Sequence, residues 1–118
     1  MADAEQEQAR PHWEDVVERS IDQLLTLVRE GDTAAHRELV RRLLDFEASV
    51  RRDDPAREHR IRTELHISPA RYTQLLNSAI DTQAAQEHNP RLVGSLRFLR
   101  EMNRANRAQR YEAPEDGK

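Results

Sequence analysis

The sequence of 118 residues contains no cysteine, only three glycines and only five aromatic side chains. Without cysteine, disulfides, thiol nucleophiles and cysteine-based zinc sites are excluded. Three scattered glycines cannot form the glycine-rich loop that cradles phosphates in nucleotide-binding enzymes. No apolar run approaches the ~20 residues of a membrane helix, and the first residues lack the apolar segment of a signal peptide. We therefore expect a cytoplasmic protein without a membrane partner.

The sequence also has few large apolar side chains, since Leu, Ile, Val and Phe together number 24. Scarce β-branched and aromatic residues beside abundant Leu, Ala, Arg, Glu and Gln favour helices over strands. The length is that of one domain. These features predict a small all-α domain with a thin core.

Charge is distributed unevenly along the chain. The formal net charge is −3, but residues 1–50 hold 12 acidic and 6 basic side chains, whereas residues 51–118 hold 10 and 13. Within residues 91–110, six Arg stand against one Glu. Such asymmetry between halves indicates an anionic partner for the C-terminal half.

The hydrophobic pattern predicts about five helices, separated at Gly31, Asp54-Pro55, Ser68-Pro69 and Asn89-Pro90. Their expected ranges are residues 11–30, 33–52, 55–65, 69–80 and 90–110. Residues 81–88 are expected to form a loop or a single turn. The resulting organisation is a disordered tail (1–10), an acidic amphipathic helix (11–31), a helix-turn-helix domain (32–110) and a second tail (111–118).

The predicted first helix carries an apolar seam at spacings of three and four residues. A domain with a thin core has to cover such a seam, either with its own residues or with a second copy. We favour a homodimer, because helix-turn-helix proteins commonly bind two DNA half-sites. The expected interface residues are Trp13, Val17, Ile21, Leu24 and Val28.

Catalytic and metal-binding patterns are missing from the sequence. No two of the five histidines stand three or four residues apart, and there is no HExxH motif. The carboxylates of the first predicted helix fit a solvated face better than a general acid–base pair. We therefore expect no enzyme activity, no metal and no cofactor.

Residues 58–77 have the apolar spacing of a helix-turn-helix, in which two helices cross steeply around a short turn. Ile61, Leu65, Ile67, Tyr72 and Leu75 occupy the positions that pack the corner. Arg62 stands where this motif usually has a small residue, and His66 where it usually has a glycine with positive φ. The alternative is an ordinary corner in a helical bundle. Side chains expected to point outward and contact DNA bases are Ser68, Ala70, Arg71, Thr73, Gln74 and Asn77.

The last predicted helix presents a stripe of arginines. Arg97, Arg100, Arg104 and Arg107 lie within an arc of about 80° at 100° per residue, and we expect only Glu101 to be nearby to neutralise them. Such stripes are often solvated surface, but a line of guanidinium groups also suits a phosphate backbone. The full set of expected phosphate contacts is Arg60, Arg62, Arg97, Arg100, Arg104 and Arg107.

Residues of about 43–110 resemble a small actinobacterial family of unknown function that also occurs in phages of those bacteria. The matching stretches are LLDFE (43–47), LHISPARYTQLLNSAID (65–81) and NPRLVGSLRFLR (89–100). The resemblance implies the helix-turn-helix or sigma-factor-like fold of a regulator. The chain differs from the family where ASVRR replaces a tryptophan pair after LLDFE, and its C-terminal end is less basic.

Together these features predict a sequence-specific DNA-binding protein that regulates transcription through a helix-turn-helix. The alternative is a small helical adaptor that contacts RNA polymerase, a sigma factor or a host protein without touching DNA. A salt-dependent interaction with random duplex DNA separates the two, because an adaptor has none near physiological salt.

Overall fold

The computed structural model describes the backbone of residues 16–116 and the side chains of residues 16–110. No strand occurs in this part of the chain, which confirms the all-α class. The loop or single turn predicted at 81–88 is replaced by a further helix of six residues, capped by the Thr82 side chain. The six helices are α1 (Ile21–Arg29), α2 (Thr33–Ser49), α3 (Arg57–Arg60, continued by a π-helical turn, Ile61–Leu65), α4 (Pro69–Ala79), α5 (Gln83–His88) and α6 (Pro90–Asp116).

The first helix does not run unbroken through residues 11–30 as predicted. Residues 16 and 17 are helical, the chain then turns, and α1 begins after Ser20. Ser20 and Gln23 form a capping box, in which each side chain bonds the backbone N–H of the other residue. This reciprocal pair of hydrogen bonds starts α1 as a helix separate from the helical residues 16 and 17. The predicted start of the helix at residue 11 lies outside the described residues.

Arg42 of α2 fastens the segment before α1 to the domain. Its guanidinium donates to the carbonyl oxygens of Val16 at 3.1 Å and Val17 at 2.6 Å, and also to that of Arg19. Its Nε donates to the buried Glu38 at 2.8 Å. A cation at the exposed carbonyls of a helical turn is favourable because those groups carry partial negative charge.

The apolar seam predicted to join two copies belongs mainly to the core of one chain. Ile21 and Leu24 are buried, and Val28 packs against the same core. Val17 is 41% exposed, and Trp13 lies outside the described residues. Ile21 and Leu24 are therefore core residues and not interface residues, because α1 covers α2 of its own chain, whereas a role of Val28 in a dimer stays a prediction.

Helix α2 is the centre of the fold and packs against α1, α4 and α5. Its apolar face is buried as the pattern predicts, and Val50 follows at its C-terminal end. Glu38 and Glu47 are also buried on this helix, which the apolar pattern did not indicate. The buried apolar side chains of α2 are Ala35, Leu39, Val40, Leu43, Leu44 and Phe46.

The tight turn predicted after Leu65 forms between α3 and α4. His66 adopts the left-handed conformation (φ 59°), so it takes the backbone geometry that a glycine usually supplies in this motif. Ile61, Ile67 and Tyr72 are buried, whereas Leu65 and Leu75 are half-buried against the same core. Two helices joined by the turn at residues 66–68 thus share one packed corner.

Ser68 is the N-cap of α4, and its side chain accepts a hydrogen bond from the Arg71 N–H at 3.1 Å. Pro69 occupies the first helical position. Ser68→Ala is expected to lower the free energy of unfolding by about 1 kcal/mol, because it removes this N-cap. Denaturant unfolding measures the change. Ser78→Ala on the same helix, where the exposed serine caps nothing, should leave stability unchanged or slightly higher. Equal losses in the two variants would contradict the assignment.

Helix α6 is packed only near its start. Val93 and Leu96 are buried, but Leu99 and Met102 of the predicted apolar stripe are exposed, as is Phe98. Residues 101–110 are exposed throughout, and the helix continues to Asp116 instead of ending near residue 110. Among the described residues, no helix is long and apolar enough to cross a membrane.

Candidate nucleic-acid interface

The outward face of α4 is polar and exposed, as predicted. All six expected base-contacting residues are exposed. Ser68 also caps the helix, and the Thr73 hydroxyl donates to the Pro69 carbonyl oxygen at 3.0 Å. Within the described part of the chain, the side chains of Arg71, Gln74 and Asn77 make no hydrogen bond, so their donors and acceptors are available to a ligand.

A cleft separates α4 from the beginning of the exposed part of α6. Thr73 and Asn77 line it from α4, and Arg100 and Arg107 line it from α6. The structure therefore brings two of the predicted base-contacting residues together with two of the predicted phosphate contacts. The Nη1 of Arg100 lies 3.4 Å from the Asn77 carbonyl oxygen, which marks how closely the two helices approach.

The arginine stripe is neutralised more than the sequence indicated. Asp81, in the turn between α4 and α5, accepts two hydrogen bonds from Arg100 at 2.7 and 3.0 Å and lies 3.7 Å from Arg97. The Arg100 hydrogen bonds lower the pKa of Asp81, and the same contact raises the pKa of Arg100. The expectation that only Glu101 is near the stripe is wrong, because the fold brings in a carboxylate from nineteen residues away.

The outer arginines of the stripe are less constrained. Arg104 lies 3.3 Å from Glu101, and both side chains are largely exposed. Arg107 makes no ion pair or hydrogen bond with any described residue, although it lines the cleft. Of the stripe, Arg107 is thus the guanidinium most available to an anion.

Arg60 and Arg62 do not line this cleft. The Arg60 guanidinium lies over the Phe46 ring, 5.3 Å from its centroid, and its ion pair with Glu64 raises the pKa of Arg60. Arg62 lies 3.9 Å from Glu58 on the surface of α3. Arg60 therefore holds α3 against α2, and the predicted phosphate role of both residues has no support from their position.

The cleft is also lined by two arginines that the sequence did not indicate as functional residues. Arg52 and Arg57 flank the break between α2 and α3 and meet at Glu47, whose oxygens lie 3.2 Å and 2.7 Å from them. Tyr72 donates to the same carboxylate at 2.7 Å, and burial together with this bond raises the pKa of the Tyr72 hydroxyl far above its ordinary value. No helical pattern marks Arg52 and Arg57, because Arg52 lies in the turn after α2 and Arg57 is the first residue of the short α3.

The family model DUF3263, whose description is "protein of unknown function", matches residues 36–108. The chain belongs to this family. Comparison with curated proteins and with solved structures yields no match. The predicted resemblance is thereby confirmed as a family of unknown function, with a match that begins earlier, at His36.

The DUF3263 match covers all the residues that line the cleft, from Arg52 to Arg107. Helix α1 lies outside it. Within the described residues, no three His, Asp or Glu side chains are placed to share a metal ion. The polar face of α4 and the arginines around it therefore form the candidate functional site of this DUF3263 member.

Proposed function

We propose that the protein binds double-stranded DNA, with α4 in the major groove and the nearby arginines on the phosphate backbone. One observation carries the proposal: Asn77, on the exposed polar face of α4, lines the same cleft as Arg100 and Arg107 of α6. A helix with exposed amides beside a row of guanidinium groups offers base contacts and phosphate contacts on one surface. Gene regulation is the role we propose for this binding.

The dimensions and chemistry of α4 suit this placement. Its 11 residues give a helix about 16 Å long. The diameter of a helix with its side chains, about 10–12 Å, matches the major-groove width of about 12 Å. Gln74 and Asn77 carry amides that bridge the two major-groove groups of adenine, and Arg71 carries the fork that fits guanine. Ser68 and Ala70 are small, so the helix N-terminus is open to a phosphate.

Replacing Gln74 by alanine tests the base contacts. With an operator selected from a random pool of duplexes, we expect Gln74→Ala to weaken operator binding by about tenfold, because a good bidentate pair contributes ~1–3 kcal/mol of discrimination. Binding to random duplexes should hardly change. Fluorescence anisotropy at fixed salt measures both, and equal weakening on the two DNAs would exclude a base contact.

Replacing Arg107 by alanine tests the backbone contacts. We expect weaker binding to operator and random DNA alike, and a salt slope shallower by about 0.9, the value of one phosphate contact. Arg29→Ala is the matched control, since it removes the same charge from α1, outside the cleft. A wild-type chain that binds no duplex at low salt would overturn the proposed function.

A second candidate is the adaptor that docks on another protein. It is favoured by the apolar side chains that α6 exposes, since Phe98 is 64% and Met102 46% exposed. Exposed aromatic and methionine side chains are enriched at protein interfaces. An adaptor of this kind predicts no salt-dependent binding to random duplexes, whereas the DNA proposal requires it.

A further inference from the structure

The cleft between α4 and α6 concentrates positive charge from three separate segments. Arg52 contributes from the turn after α2, Arg57 from the start of α3, and Arg100 and Arg107 from α6. Within the part of the chain that the structure describes, two carboxylates pair with these four cations: Glu47 bonds Arg52 and Arg57, and Asp81 bonds Arg100. The cleft therefore keeps a net positive charge.

The floor of the cleft is apolar. Leu76, Ile80 and Leu96 line it and are all buried in the core. Charges beside such a surface interact more strongly than charges in open water, because the effective dielectric constant is lower. An anion in the cleft is consequently attracted more strongly than one on the exposed end of α6.

Two buried hydrogen-bond donors at this cleft lack acceptors. Arg57 Nη1 and Arg100 Nε make no hydrogen bond within the described part of the chain. Buried donors without acceptors are destabilising, and most in folded proteins are satisfied. The two residues come from different helices, and their side chains are 17% and 27% exposed. An anion in the cleft would supply acceptors to the guanidinium groups that carry these donors.

We propose that the cleft is a binding site for one phosphate or pyrophosphate group, held by Arg57, Arg100 and Arg107. Its enclosed space of about 170 Å³ far exceeds the ~10–15 Å³ needed by one water. A phosphate has more charge and more acceptor oxygens than a carboxylate, so it suits several guanidinium forks at once. The site goes beyond base recognition, because it is complete in one chain and does not require α4 in a groove.

Isothermal titration of the full chain with inorganic pyrophosphate, at ionic strength held constant with sodium chloride, tests the site. We expect saturable binding of one pyrophosphate per chain. Arg107→Ala should weaken it about tenfold, the loss of one charge-assisted contact. Arg107 is exposed and unpaired within the described residues, so this variant keeps the fold, and circular dichroism checks that it does. Arg100→Lys should also weaken binding, because it keeps the charge but loses the fork.

The control is Arg29→Ala, which should bind pyrophosphate like the wild type. No saturable binding by the wild type would overturn the site. Equal weakening in Arg29→Ala and Arg107→Ala would overturn it as well, because net charge alone would then explain the effect. Amide resonances of Thr73, Asn77 and Asn103 should shift on titration, and shifts confined to other helices would contradict the placement.

Competition with a short random duplex identifies the source of the phosphate. Displacement of pyrophosphate by the duplex assigns the site to a DNA backbone phosphate. Simultaneous binding assigns it to a free phosphorylated compound, and both results uphold the site. The titration contains no DNA, so a failure of the proposed DNA binding leaves its result intact.

Discussion

Replacing Glu47 by alanine is expected to lower the free energy of unfolding by about 3–5 kcal/mol, the usual cost of removing one partner of a buried ion pair. The Glu47 side chain is 2% exposed, and Arg57 is 17% exposed with its Nη1 atom buried. Without the carboxylate, Arg57 keeps a buried charge and the Tyr72 hydroxyl retains only the Leu43 carbonyl oxygen, 3.3 Å away. Total stability of such domains is about 5–15 kcal/mol, so much of it is lost.

Thermal and urea unfolding measure this loss, which corresponds to a fall in Tm of roughly 10–30 °C for a domain of this size. Asp45→Ala is the matched control on the same helix. Asp45 pairs with Arg41 and His88, but it is 51% exposed, and exposed pairs contribute at most about 1 kcal/mol. A loss below 1 kcal/mol for Glu47→Ala would show that the buried contacts are not coupled as described.

Much of the fold follows from local sequence rules. Ser68-Pro69 and Asn89-Pro90 marked the starts of α4 and α6, because a capping side chain followed by proline fits the first turn of a helix. The apolar spacing in α2 and the corner identified the core. The break at Ser20 was missed because the seam keeps its helical spacing across it. The Ser20 and Gln23 capping box was the signal present at that point.

The candidate site was predictable only in part, because it depends on contacts between distant residues. Helical periodicity placed Asn77 and Arg100 on exposed faces, but it could not show that those faces meet. Asp81 and Arg57 lie in or beside turns, where no period indicates the direction of a side chain. The ion pairs that Asp81 and Arg57 form decide which arginines remain available to bind a ligand. The positive charge offered to a ligand could therefore not be predicted from the sequence.

Asp81 restrains the arginines beside α4, and its removal should increase DNA binding. Asp81→Asn is expected to tighten binding to random duplexes by about tenfold at low salt, since charged hydrogen bonds contribute ~1.5–3 kcal/mol each. The change removes a repulsive charge and releases Arg97 and Arg100 for phosphates. The Asp81 side chain is 54% exposed, so stability should fall by less than about 1 kcal/mol.

The salt dependence of the same variant separates local release from a simple change of net charge. Two additional phosphate contacts steepen the slope of log K against log salt by about 1.8. Raising salt from about 50 to 200 mM should then weaken Asp81→Asn roughly tenfold more than the wild type. Asp45→Asn removes the same charge from α2, where Asp45 pairs with Arg41 and His88, and should leave the slope unchanged. Equal slopes for Asp81→Asn and the wild type would mean that removal of the Asp81 charge adds no phosphate contact from Arg97 or Arg100.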